Sequence, residues 1–169
     1  AAVAAAGIGR AGVPPADDDA PTQDSSHLWI LYDKAATAMV TLAEKTEALA
    51  GKTNGTPRIP SELKGRKRAL EKIETDYGGK AERLVDIARA SVFYDDVAQL
   101  QVGVKEVRDS WTVVREKDRF EAPAGGYRDI MFNVDIGGHI CELQLHLTKI
   151  IEAKKAGHED YEVVRELEA

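Results

Sequence analysis

From His27 to about Ala50 the apolar residues Leu28, Ile30, Leu31, Ala35, Ala38, Met39, Leu42 and Ala43 recur every three or four positions, the period of one helix face. Ser25 or Ser26 stands ready to cap its start. Gly51 to Pro60 breaks the pattern with an Asn-Gly pair and two prolines, which predicts a loop. A second helix is expected from a Ser61 cap to about Tyr77, with Leu63, Leu70 and Ile73 turned inward and Gly78-Gly79 ending it.

After that helix the period shortens. β-prone runs occur at Asp86 to Phe93, Trp111 to Glu116, Arg128 to Ile136 and His139 to Leu147. Between the first two, Val97, Leu100, Val104 and Val107 mark a helix within Asp95 to Asp109. Gly137-Gly138 separates the last two runs and suits a two-residue hairpin turn. Helical patterns return at about Thr148 to Lys155 and His158 to Leu167, and no internal repeat is visible. The expected fold class is α/β or α+β, with a mixed, partly antiparallel sheet flanked by helices. Residues 1–26 hold an Ala/Gly run, Pro14-Pro15, three consecutive aspartates and Pro21, without an apolar period. They read as a linker or disordered tail, followed by a single domain over residues 27–169.

Composition narrows the function classes. The chain has 169 residues, 43% of them hydrophobic, but 24 are Ala and many of these fall outside periodic segments. No stretch approaches the ~20 apolar residues of a membrane-spanning helix. The single Cys excludes an intramolecular disulfide framework and a multi-thiolate zinc site. A net charge of −6 argues against a dedicated duplex-DNA binder. That charge is segregated, however. Between Arg58 and Lys72 the six cations Arg58, Lys64, Arg66, Lys67, Arg68 and Lys72 face only Glu62 and Glu71, a local +4 suited to a triphosphate, to an RNA backbone, or to a solvated helix face.

Three further segments carry candidate chemistry. In His139 to Leu147, strand alternation puts Cys141, Leu143, Leu145 and Leu147 on one face and Glu142, Gln144 and His146 on the other. The polar face fits a half-solvated strand or one wall of a metal and phosphate site. His139 and Cys141 share the face opposite His146, so one strand cannot aim all three at a zinc ion. Asp86 leads a β-prone run, a common setting for a Mg²⁺ ligand as well as an ordinary boundary residue, and Arg89 follows it closely enough to bind phosphate. From Asp118 to Asp129, a Pro123-Ala-Gly-Gly turn delivers Tyr127 and Arg128, with Gly125 and Gly126 permitting close backbone approach to a ligand.

In this order the basic helix, the Asp-led strand, the Asp-aromatic...Pro...Gly-Tyr loop and the Glu-x-Gln strand resemble the synthetase domain of the RelA/SpoT family, over about Ser61 to Leu167. The resemblance implies a nucleotidyltransferase-like synthetase fold and a Mg²⁺-dependent pyrophosphokinase that moves pyrophosphate from ATP to the 3′-hydroxyl of a purine nucleotide, making (p)ppGpp or (p)ppApp. It implies that Glu142 is the catalytic carboxylate, with Gln144 beside it, and that Asp86 and Glu142 hold the metal. Lys64, Arg66, Lys72 and Arg89 would meet ATP phosphates. Tyr127, Asp118, Arg128 and His146 would meet the acceptor. The family's Pro-Lys-x-Asn-Gly-Tyr is Pro123-Ala-Gly-Gly-Tyr127 here, Arg128-Asp129 replaces the usual Gln-Ser, and His146 stands where Arg is typical. These departures cluster around the acceptor. They leave the 3′ end of tRNA open as the acceptor, and a catalytically silent nucleotide-binding module is a separate alternative. The Pro-containing front and the missing initiator Met fit a delivered effector domain acting in the cytoplasm and met there by an immunity or antitoxin protein. They fit a truncated housekeeping synthetase as well.

Overall fold

The computed structural model describes residues 19–121 and 128–149. Helix α1 spans Leu28–Thr53 and buries Leu31, Ala35, Ala38 and Leu42 of the predicted stripe together with Tyr32, Thr46 and Leu49, while Leu28, Ile30, Met39 and Ala43 are half-buried. It ends at Asn54 in the left-handed conformation, whose N–H returns to the Ala50 carbonyl. Strand β1 (Thr56–Arg58) occupies part of the expected loop and pairs antiparallel with β2 (Arg89–Tyr94). Helix α2 (Arg66–Asp76) lies between them in sequence. It begins later than its sequence pattern predicts, because the backbone around Lys64 is already engaged. The Lys64 N–H bonds the Ile87 carbonyl at 3.0 Å, and the Lys64 carbonyl accepts the Tyr32 hydroxyl at 2.5 Å. Ala69 and Ile73 supply the buried face of α2, while Leu70 is exposed.

A 3₁₀ turn (Ala81–Arg83) and the buried run Leu84 to Ala88 lead into β2, so Asp86 precedes the strand it was expected to open. Helix α3 (Val97–Ser110) is capped by Asp96, whose carboxylate accepts the Gln99 N–H at 2.8 Å. Gly103 of α3 lies against the ring of the fully buried Tyr94, where a Cβ would collide. Trp111, placed in a strand by its sequence context, instead closes α3, and β3 runs over Val113–Asp118. Strands β4 (Asp129–Ile136) and β5 (His139–Leu147) form a hairpin through Gly137 and Gly138, both at positive φ (60° and 90°), as a primed two-residue turn requires.

The sheet order is β1-β2-β5-β4-β3, with β2 and β5 parallel and every other pair antiparallel. It is the mixed α+β architecture that the pattern implies. Helices α1 and α3 cover one face, over Ala90, Val92, Tyr94, Cys141, Leu143 and Leu145, each at most 2% exposed. The opposite face carries Arg89, Ser91 and Phe93 beside Glu142, Gln144 and His146, with Asn133, Met131 and Asp129 across from them. Ahead of α1, Gln23 is buried. Its amide donates to the Leu84 and Ile140 carbonyls and accepts the Ile140 N–H, tying the chain before the first helix to the start of β5. The expected tail boundary at Ser26 therefore falls after a residue already packed into the domain. No described helix is long and apolar enough to cross a membrane.

Candidate active site

The open sheet face, α2 and the Leu84–Ala88 run enclose a cavity of about 600 Å³ lined by Lys64, Arg68, Glu71, Lys72, Thr75, Asp76, Asp86, Arg89, Arg119, Glu142 and Gln144. A second, of about 480 Å³, is lined by Lys72, Tyr77, Val85, Asp86, Arg115, Lys117, Asp118, Arg119, Met131, Asn133 and Glu142. Lys72, Asp86, Arg119 and Glu142 line both. Two compartments thus meet at a pair of carboxylates flanked by cations.

Sheet register explains the meeting. Glu142 on β5 lies beside Arg89 on β2 and Asn133 on β4, so these three share the open face. Asp86, three residues ahead of Arg89, enters from the strand's amino end. Lys64 and Lys72 both bond its Oδ2 at 3.0 Å, one from the stretch before α2 and the other from α2 itself. The other oxygen, Oδ1, is buried with no hydrogen-bond partner among the described residues.

The electrostatics of the two acids differ. Burial raises the proton affinity of Asp86, but Lys72 and Lys64 outweigh it and hold the carboxyl below its ordinary range. Burial also pushes Glu142 up, and the Asp86 charge adds to this, against weaker pulls from Lys72 and Arg119. Asp86 is therefore a firm anion and Glu142 the readier proton acceptor. Burial would lower the Lys72 ammonium, but Asp86 outweighs it and the net shift is upward. Lys72 also sits 5.6 Å from the ring centroid of Tyr77, whose phenol is raised chiefly by burial.

Of the residues singled out in the sequence, Lys64, Lys72, Asp86, Arg89, Glu142 and Gln144 line the first cavity, and Asp118 lines the second. Asp118 also shapes the turn after β3 by accepting the Phe120 and Glu121 N–H groups. Arg66 lies elsewhere, exposed and 4.7 Å over the ring of Tyr32, while Arg68 takes a place in the cavity. His146 is 6% exposed and contacts protein groups: Gln144 Oε1 at 3.0 Å and Phe93, stacked at 5.0 Å between centroids. Arg128 is exposed. Tyr127, the glycines before it, and the helical patterns beyond Lys149 lie outside the described residues.

Arg119 and Asp129 were not singled out from the sequence as a pair. Arg119 bonds Asp129 through two nitrogens, at 2.5 and 2.8 Å, with Asp129 fully buried and Arg119 lining both cavities. Arg115 joins them on the same side, donating to Asn133 Oδ1 at 2.9 Å. The available signal was the alternation Arg115, Lys117, Arg119, which places one cation on every second position. Cys141 faces the helices, and burial pushes its thiol up to about 12, as befits a small core residue.

No protein-family model matches the chain, and no curated protein matches it by sequence. Solved structures do match. The Type VI effector Tas1, crystallised with its immunity protein, is 24% identical with a TM-score of 0.62, over 77% of this chain but only 66% of its own. Small alarmone synthetase 2 from Bacillus subtilis is 15% identical (TM-score 0.62), covering 82% of each chain. Small alarmone synthetase 1 from the same organism, bound to its product pppGpp, is 20% identical (TM-score 0.56), over 80% of this chain and 78% of its own. The chain has the fold of a RelA/SpoT-type alarmone synthetase domain.

Proposed function

We propose that this chain is a Mg²⁺-dependent pyrophosphokinase that transfers pyrophosphate from ATP to the 3′-hydroxyl of a purine nucleotide. The observation that carries the reading is the Asp86–Glu142 pair at the junction of two cavities, with Lys64 and Lys72 on Asp86 and further cations on both sides. The fold shared with alarmone synthetases supports it.

The residues suit the metal. Mg²⁺ is usually held by one or two carboxylates together with substrate phosphates, and the buried Asp86 Oδ1 is an oxygen donor without a hydrogen-bond partner among the described residues. Held by Asp86 and Glu142, the ion would neutralise charge on the β- and γ-phosphates of ATP. Lys64, Lys72, Arg68 and Arg89 bind the remaining phosphate oxygens in the larger cavity. Glu142, at the junction of the two cavities, takes the proton from the acceptor 3′-hydroxyl. The hydroxyl oxygen bonds to the β-phosphorus in line, the bond from that phosphorus to the α–β bridging oxygen breaks, and AMP leaves. Such transfer rests mostly on positioning and charge stabilisation.

The likeness to an effector solved with its immunity protein extends the proposal to a toxin role, with an immunity protein as partner. The decisive assay incubates the protein with β-labelled ATP and, in separate reactions, guanine nucleotides, adenine nucleotides and tRNA. Label transferred to a free purine nucleotide, together with AMP, is the expected result. Label on tRNA alone would replace the acceptor, and nucleotide binding by calorimetry without any transfer would leave a binding module. Expression should arrest bacterial growth, and Glu142→Ala should relieve the arrest. Normal growth with full transfer activity in vitro would remove the toxin role.

A further inference from the structure

The polar side chains of β5 form a chain of hydrogen bonds that leads away from the cavities to His146, behind which lies a fully buried carboxylate. Gln144 Nε2 donates to Glu142 Oε2 at 3.0 Å, and the Oε1 of the same amide meets His146 Nε2 at 3.0 Å. An amide oxygen only accepts, so the proton at the second contact belongs to His146. This fixes the direction of the chain: His146 donates to Gln144, and Gln144 donates to Glu142. Behind it, His146 Nδ1 lies 3.5 Å from Asp129 Oδ2, and Arg119 holds Asp129 with two bonds. The imidazole stacks on Phe93 with 20° between the planes, which limits its rotation. His146 and Asp129 are 6% and 0% exposed, and neither lines the two cavities.

We propose that His146, backed by Asp129 and Arg119, is a positioning residue that fixes the Glu142 carboxylate through Gln144. The inference rests on the reading of Glu142 as the catalytic carboxylate. The physical reason is the two-fold ambiguity of an amide. Without a donor at His146, the Gln144 side chain can turn over and present its oxygen to Glu142. The carboxylate then loses a hydrogen bond and meets a repulsive dipole in a poorly solvated place. Glu142 would still reach the cavity, but it would spend less time oriented toward the acceptor hydroxyl.

In the intact chain, His146→Leu should lower kcat about tenfold to a hundredfold, the usual cost of removing a group that orients a ligating side chain. The KM for ATP should stay within about twofold, since His146 lines neither of the two cavities that meet at Glu142. His146→Gln, whose amide NH₂ reaches about where the imidazole Nε2 stands, should recover most of the rate. A rise in KM at unchanged kcat would place His146 against the substrate and overturn the proposal, as would equal impairment of the Leu and Gln variants. Should the Leu variant lose its fold, Gln144→Leu breaks the same chain at a half-exposed position, and an unchanged kcat there would also overturn it. Nitrogen-15 NMR of the parent separates this inference from the reaction assignment. Exchange-protected Gln144 amide protons and a protonated His146 Nε2 support the chain even where the parent transfers no pyrophosphate. A rapidly exchanging amide with the His146 proton on Nδ1 alone would overturn it.

Discussion

The two faces of β5 are completed by different physics. On one face Cys141, Leu143 and Leu145 are fully buried under α1 and α3, and their stabilisation comes from apolar area, about 1.5–3 kcal/mol for a buried leucine. On the other, Glu142, Gln144 and His146 are joined by directional bonds of 3.0 Å, and the Asp129 carboxylate lies 3.5 Å behind the imidazole. The first face tolerates any side chain of suitable volume. The second depends on which atom donates and which accepts, so isosteric changes there alter chemistry while leaving packing alone. Residues one position apart should therefore fail in different ways.

The largest expected effect comes from Glu142→Gln. The variant keeps the shape and removes the proton acceptor, so transfer should fall about 10²–10⁴-fold. Stability should hold or rise, because burial and the neighbouring Asp86 both disfavour the Glu142 charge. A transfer assay beside a thermal melt checks both. Activity near that of the parent would remove Glu142 from the reaction, and a collapsed melting temperature would show that its charge is structural.

Leu143→Ala, next along the strand, should show the reverse. Truncating a fully buried leucine costs about 2–5 kcal/mol. At roughly 2–4 °C per kcal/mol for a domain of this size, the melting midpoint should drop by about 4–20 °C. At temperatures where the variant remains folded, its transfer rate should match the parent's. A rate deficit in the cold, with the fold intact, would mean that the two faces are mechanically coupled and that the comparison is too sharp.

The same division explains what the sequence revealed. Alternation in His139 to Leu147 separated the two faces of β5 because that strand is covered on one side by helices and bordered on the other by polar groups. The helical stripe of α1 was equally plain. The late start of α2 was hidden, since Ser61 is a sound cap, and the bonds from Lys64 to Ile87 and Tyr32 that hold its backbone out of the helix are tertiary. For the same reason the basic segment announced a cationic wall without saying which residues belong to it, so that Arg68 enters the cavity and Arg66 covers Tyr32. Asp129 and His146 stood out as departures from a family pattern, but their proximity follows from the β4–β5 register, which pairs them directly.

The smallest expected effect lies at the start of β5 and sets a limit to the apolar face. His139 follows the hairpin glycines and shares the parity of Cys141. It is 2% exposed, and neither ring nitrogen has a hydrogen-bond partner among the described residues. Burial lowers its proton affinity, with Asp24 pulling weakly the other way. The folded chain therefore keeps the ring neutral at pH values where the unfolded chain, with a pKa of about 6.5, has begun to bind a proton. By linkage, the stability associated with His139 is fully present above about pH 6.5 and is lost as pH falls toward the lowered folded value. The midpoint of the parent should fall more between pH 8 and pH 5 than that of His139→Leu, which has no proton to take up. Equal slopes would show that the folded ring already accepts a proton, with Asp24 close enough to offset its burial, and the apolar face would then end at Cys141.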